Sequence, residues 1–375
     1  MFGAVVRWIG FRHVGVLGAV VSLCYVPGVT GAYIATQWPV LAVLLSFGLL
    51  CRGPFTVFHA AGLLFVAYAV ARLPFSPAPY ASVFGLWLII IMGLSVWFGT
   101  ILTNVRGLYA GLAAGASVSS LVAIFQYFGW ESVGTVSLHP PGLYVNSVQQ
   151  GAVLALVAVA LISEQMWKWL PALAPGIFLA HSRGAWIALF VGILGCYIRR
   201  LWVFGIVGVI GAFYLLTPIS GDDAQRLAIW HLAWSNLKWF GWGPGIFYTT
   251  AMFQNGAYSF YPEYAHNDVL QLAFEYGVGA LLPATVVGYA FWRTDVKEWP
   301  IVLAFVTAGC YSMPLFMPIT SFLALIAVGR VLRVHGLDGS YGRNCRQYVI
   351  SGKWDYYLQA GRSVVPVASY NPAKG

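Results

Sequence analysis

Three side chains in this sequence pair a reactive type with an unusual setting. His266, followed by Asn267, stands where a polar stretch meets the apolar run opening at Asp268. With an ordinary pKa of about 6.5, a histidine at such a boundary can take a proton from a hydroxyl. Read alone, it equally suits a helix cap or an interfacial residue. Arg183 lies between apolar runs in FLAHSRGAWIAL (178–189), where a charge is unfavourable unless paired or solvated. Its planar donor fork suits phosphate, and its long stem also allows it to snorkel to lipid headgroups. Arg226 precedes Trp230 by four positions, so on a helix guanidinium and indole share a face. An ordinary solvated charge fits that pattern too.

Other residues support or compete with these. Asp268, Gln271 and Glu275 fall at i, i+3 and i+7, a polar stripe on an otherwise apolar helix. Such a stripe faces protein or water rather than lipid, either positioning His266 or binding a neighbouring span. His181, just before Ser182, is either a second proton acceptor or without a role, and His139 and His231 lie near the same face. Gly241, Gly243 and Gly245 form a GxGxG, but no βαβ context surrounds them, so a tight turn or close backbone approach is expected instead of a dinucleotide site. Asp222 and Asp223 lack a third ligand at suitable spacing, so no metal is expected. The five cysteines contain no CxxC, so neither a disulfide framework nor a zinc site is expected.

The elements that must position these groups follow from composition. The 375 residues are 60% hydrophobic and only 8% charged, with mean hydropathy +0.77, far from the roughly 25% charge of globular domains. Lipid is the solvent that fits. Apolar runs suited to ~30 Å of hydrocarbon lie near 14–35, 37–51, 55–72, 82–103, 107–129, 148–163, 168–181, 184–198, 201–218, 267–292, 299–316 and 318–334. This predicts an all-α polytopic bundle of about twelve spans. The short segments around 37–51 and 168–198 lower the count to ten or eleven if they are tilted, re-entrant, or kinked at Pro171 or Pro175. Arg7 and Arg12 before the first run resemble the start of a signal peptide, but further spans follow at once, so it reads as an uncleaved span.

Sidedness follows from charge. With the N-terminus inside, sixteen of the twenty Lys and Arg fall in cytoplasmic segments, leaving only Arg72, Arg183, Arg226 and Lys238 outside. The net charge of +9 therefore reflects topology, not nucleic acid, since the basic residues are scattered singly between apolar runs. Residues 1–334 form the membrane domain and 335–375 a loosely ordered cytoplasmic tail. Two outer loops are long, 130–147 and 219–266, and the larger is the natural seat of function. Within it Ala224–Phe240 reads as an amphipathic interfacial helix, with Leu227, Trp230, Trp234 and Leu237 on one face and Gly241 ending it.

Taken in order, three segments resemble the O-antigen ligases and O-antigen polymerases. They are SRGAW (182–186), QRLAIW (225–230) with GWGPG (241–245), and AHN (265–267) with EYGVG (275–279). A weaker match is PGLYVN (141–146) with Gly151, so the resemblance covers residues 139–282. The resemblance implies a GT-C-like membrane glycosyltransferase of the bacterial inner membrane, with both termini cytoplasmic and the site periplasmic. The donor it implies is a glycan on polyprenyl pyrophosphate, and the acceptor is a hydroxyl on lipid A core or on a growing glycan. By position, Arg183 and Arg226 would hold the pyrophosphate and His266 would be the catalytic base, with Asn267, Glu275, Trp230 and His181 in support. No cofactor and no metal is expected. The rival classes are a transporter or flippase of lipid-linked saccharides, which would keep its ionisable groups near the bilayer midplane, and a structural membrane protein.

Overall fold

The computed structural model describes residues 14–23, 32–48, 57–102, 105–130, 139–144, 146–198, 221–247, 264–292, 297–310 and 312–336. The expected span at 201–218, loop residues 131–138 and 248–263, and the tail beyond 336 lie outside the described residues. The chain divides into two compact units, Met1–Arg333 and Val334–Gly375, and the account below concerns the first.

Among the described residues every regular element is helical. In chain order these are α1 (Val14–Leu23), α2 (Ala32–Gly48), α3 (Val57–Arg72), α4 (Pro79–Ile101), α5 (Arg106–Tyr127), α6 (Ser147–Ser163), α7 (Leu170–Leu179) and α8 (Arg183–Tyr197). They continue with α9 (Gly221–Ser235), α10 (Asp268–Tyr276), α11 (Leu281–Trp292), α12 (Trp299–Gly309) and α13 (Pro318–Gly336). Among the described residues four segments are long and apolar enough to cross a membrane: Val57–Phe75, Pro79–Ile101, Arg106–Tyr127 and Asp268–Trp292. At 1.5 Å per residue they reach about 28 to 38 Å, enough for ~30 Å of hydrocarbon. The last is two helices, α10 and α11, joined by a 3₁₀ turn at Gly277–Ala280.

Helix α6 is apolar all round and buried all round, with Ala152 to Leu161 each at most 3% exposed. It sits at the centre, packed by α5, α7, α8 and α12. Asn146 starts it by accepting the Gln149 N–H at 2.8 Å. The outer helices turn large apolar side chains away from the protein, among them Leu63 and Leu64 on α3, Val83 and Phe84 on α4, and Phe190 on α8. A water-soluble protein does not sustain such faces; hydrocarbon does. Helix α7 is only ten residues long and begins at Leu170–Pro171, with Pro175 inside it. The next amide, Gly176 N–H, donates to Ser120 Oγ at 2.8 Å, so a neighbouring helix supplies an acceptor there.

The helix ends sort into two polar layers. At one end the Leu102 carbonyl, just past α4, accepts from Arg330 (2.7 Å) and Arg333 (3.0 Å), and Arg330 pairs with the buried carboxylate of Glu298 before α12. Nearby, Arg106 donates to the Glu164 carbonyl at the end of α6. At the other end of α4, Gly85 packs against the backbone of Gly245, and Arg72, closing α3, donates to the Gly241 carbonyl at 3.0 Å. The 23 residues of α4 hold these layers about 34 Å apart.

Breaking the Arg330–Glu298 pair strands a buried charge, so Arg330→Met is expected to destabilise the protein by about 3 kcal/mol. Arg330→Met with Glu298→Leu should recover most of that loss. Thermal unfolding in detergent measures both, and a single variant that melts like the parent would contradict the assignment.

Candidate functional site

His266 is set by its neighbours on the chain. Asn267 caps α10, its Oδ1 accepting the Leu270 N–H at 3.0 Å, while its Nδ2 donates to the Cys310 carbonyl at 3.3 Å. On the other side Ala265 is held through both backbone groups. Its N–H donates to Gln271 Oε1 at 3.0 Å, and its carbonyl accepts the Trp230 indole N–H at 2.8 Å. Between these anchors His266 takes φ +51°. The left-handed region is uncommon for a residue with a side chain, and such outliers concentrate at functional sites.

The polar stripe of α10 is a clasp for the large loop. Glu275 is 1% exposed. Its carboxylate accepts from the N–H of Gly245 (3.0 Å) and Phe247 (3.4 Å) and from the Gln271 amide (3.3 Å). The main chain adds to this, since Trp242 N–H donates to the Phe274 carbonyl and Gly243 N–H to the Glu275 carbonyl, at 3.1 and 2.9 Å. The carbonyls left unpaired at the C-terminus of α10 are thereby satisfied. Gly241 and Gly277 adopt φ +67° and +54°, and an added Cβ on Gly241 would strike the Glu275 carbonyl, one on Gly277 the Trp239 carbonyl. The GxGxG is thus a close backbone approach. Asp268, also buried, accepts the Leu315 N–H at 2.9 Å.

Arg226 and Trp230 lie on α9, which ends at Ser235, five residues before the expected Phe240. There the chain turns: Asn236 donates to the Leu232 carbonyl, and its own carbonyl accepts the Trp242 indole N–H. The expected apolar face divides accordingly. Ile229, Ala233 and the half-buried Trp230 pack with Phe247, Ala265 and Phe274, whereas Leu227 and Trp234 point away, 44% and 71% exposed. Burial of the His266 imidazole and the nearby Arg226 guanidinium both disfavour its charged form, lowering its pKa from 6.5 to about 4. The imidazole is therefore neutral at physiological pH.

Arg183 is the first residue of α8 and is exposed. Ser182 caps that helix, accepting the Ala185 N–H at 3.3 Å. His181, between α7 and α8, is also left-handed, with φ +47°, and its ring stacks on His139 at 4.7 Å between centroids. The start of α6 joins this turn to that of His266. A Cβ on Gly151 would lie 2.9 Å from those of Ser182 and Ala185, and the adjacent Ala152 packs with Met313, Phe316 and Tyr264, two residues before His266.

The structure thus brings His266 together with Arg226, with Trp230 bonded to the adjacent Ala265 and Glu275 behind it through Gln271, and caps the following helix with Asn267. Arg183 and His181 stand on a separate turn at the same end of the bundle. His231 is exposed on α9, and the Asp222 and Asp223 side chains lie outside the described residues. Among the described residues no three His, Cys, Asp or Glu are grouped to hold a metal ion. Sequence reasoning gave no role to Tyr68, whose hydroxyl lies 2.9 Å from the carbonyls of Phe240 and Tyr276, nor to Arg72 and its bond to Gly241. For Arg72 the available signal was its place among the few basic residues expected outside. Gln126 also escaped notice, though it brackets Gly142 through both backbone groups. No model of a known protein family matches the sequence, and no curated protein matches it significantly.

The depressed pKa makes stability depend on pH. Between pH 6.5 and about 4 the unfolded chain protonates this histidine and the folded one does not, so stability held above pH 6.5 is lost as pH falls, by up to about 3 kcal/mol. His266→Gln should flatten that part of the melting-temperature profile. An unchanged acid slope in the variant would place the titration elsewhere.

Proposed function

We propose that this protein is a membrane glycosyltransferase of the O-antigen ligase or polymerase type, transferring a glycan from polyprenyl pyrophosphate to an acceptor hydroxyl. The observation that carries the reading is a neutral imidazole, fixed in a left-handed turn beside a guanidinium, at one polar end of an apolar helical bundle. In this reading the bundle is GT-C-like with about twelve spans. Both termini are cytoplasmic in the bacterial inner membrane, and the His266 end is periplasmic.

The acceptor oxygen attacks the anomeric carbon, the bond from that carbon to the pyrophosphate oxygen breaks, and the electron pair leaves with polyprenyl pyrophosphate. His266 takes the acceptor proton, and Arg226 and Arg183 stabilise charge growing on the leaving group. Direct displacement inverts the anomeric configuration. Pyrophosphate is a good leaving group, so positioning and fixed charge supply what the reaction needs. Trp230 and Glu275 act as positioning residues, through Ala265 and Gln271. Glu275 is also the deep carboxylate that a transporter reading would use, and its bonds to Gly245 and Phe247 give it a structural task instead.

Arg226→Ala and His266→Ala are expected to abolish transfer in a cell-free assay with lipid-linked donor while both variants still insert in the membrane. Continued donor consumption by both would remove the assignment. In a deletion strain, loss of all attached surface polymer identifies a ligase, and capping by single repeats identifies a polymerase.

The pH dependence offers a second test. A bound diphosphate offsets the charge of Arg226 and raises the basicity of His266. The acid limb of kcat, which reports the occupied enzyme, should therefore lie at higher pH than that of kcat/KM, which reports the free enzyme near pH 4. Arg226→Gln should raise the pKa of His266 in the substrate-free protein, read by NMR titration of the imidazole. Coincident limbs in the parent, with a His266 titration that Arg226→Gln leaves unmoved, would exclude this base.

A further inference from the structure

The opposite polar layer contains a site that the transferase reading does not use. A cavity of about 440 Å³ opens there, lined by Arg106, Gln165, Met166, Trp167 and Lys168, a volume within the range of small-ligand sites. Two of its five lining residues are cations. Arg106 is held at the rim by its 3.2 Å bond to the Glu164 carbonyl, while the Glu164 carboxylate faces Lys297 at 4.0 Å. The cavity lining itself carries two basic side chains and no acidic one.

Neighbouring groups favour an acceptor-rich occupant. Arg106 is the first residue of α5, and its N-cap, Val105, supplies no side-chain acceptor to the first turn, so the helix dipole adds to the positive potential. Trp167 is 47% exposed and, with Met166, gives the cavity an apolar wall beside its charges, as an interfacial tryptophan does.

We propose that this cavity binds a phosphate-bearing anion. The chemistry is an anionic phosphate seated between Arg106 and Lys168, and it can arrive as an acidic phospholipid headgroup or as free inorganic phosphate. The site is independent of the transferase reading and stands or falls without it.

Native mass spectrometry of the full chain, released from vesicles of phosphatidylglycerol and phosphatidylcholine, tests the lipid form. Parent protein should retain phosphatidylglycerol preferentially, with adducts falling about fivefold for each charge removed in Lys168→Gln and Arg106→Gln. Lys168→Arg should keep them. Lys168→Gln carries the test if loss of the Arg106–Glu164 bond impairs folding. In dodecyl maltoside, inorganic phosphate tests the soluble form. A phosphate-dependent rise in melting temperature, absent in Lys168→Gln and without any phosphatidylglycerol preference, identifies free phosphate as the occupant. If parent and Lys168→Gln behave alike in both arms, the proposal is overturned.

Discussion

The arrangement around His266 depends on one buried carboxylate. Glu275 is sealed inside an apolar bundle, a position tenable for a carboxyl group only if its oxygens are hydrogen-bonded. Two of its donors are backbone amides, at Gly245 and Phe247, so the long loop must lie against α10 for the group to be satisfied. The third donor, Gln271, passes the constraint on, because its other amide atom accepts the Ala265 N–H. A loop far along the chain and the turn before His266 are therefore fixed by the same side chains. The glycines follow from this: the loop approaches α10 so closely that Gly241 and Gly277 leave no room for a Cβ.

A second constraint is distance. Helix α4 ends near Arg330 and Arg333 and begins near the loop clasped by Glu275, so polar chemistry is confined to two layers with apolar packing between them. Arg106, Lys297, Arg330 and Arg333 share one layer, and Arg72 and Arg226 the other. The solvent requirement that ends a helix at the interface also places its charges there.

What the sequence made legible was local. Hydropathy located the apolar helices, and the step from His266-Asn267 into an apolar run marked a helix start, which Asn267 caps. The i, i+3, i+7 spacing exposed the stripe of α10. The stripe's partner was not legible, since periodicity says which face is polar and nothing about what meets it. Tyr68 and Arg72 reach carbonyls 172 and 169 residues away, and no local pattern encodes a contact at that separation. The left-handed turns at His181 and His266 were equally hidden, because positive φ is uncommon even for histidine, which adopts it more readily than most side chains; each lies directly before the cap of a helix, Ser182 and Asn267. The premature end of α9 has the same origin, since helix propensity through Phe240 yields to the bonds that lay residues 239–245 on α10.

In the proposed transferase, the same contacts bear on which group would act as the base. Both buried carboxyl groups of α10 accept from backbone amides, Asp268 through Oδ2 from Leu315 and Glu275 from Gly245 and Phe247. The charge whose influence reaches His266 is instead Arg226. A carboxylate partner would hold the imidazole permanently basic, whereas a guanidinium partner keeps it neutral and weak while the site is empty. A diphosphate bridging to Arg226 reverses that balance, because the anion approaches the same ring that the cation had disfavoured. The base then gains strength when a leaving group is in place, and an acceptor hydroxyl meets an activated imidazole only in the ternary complex.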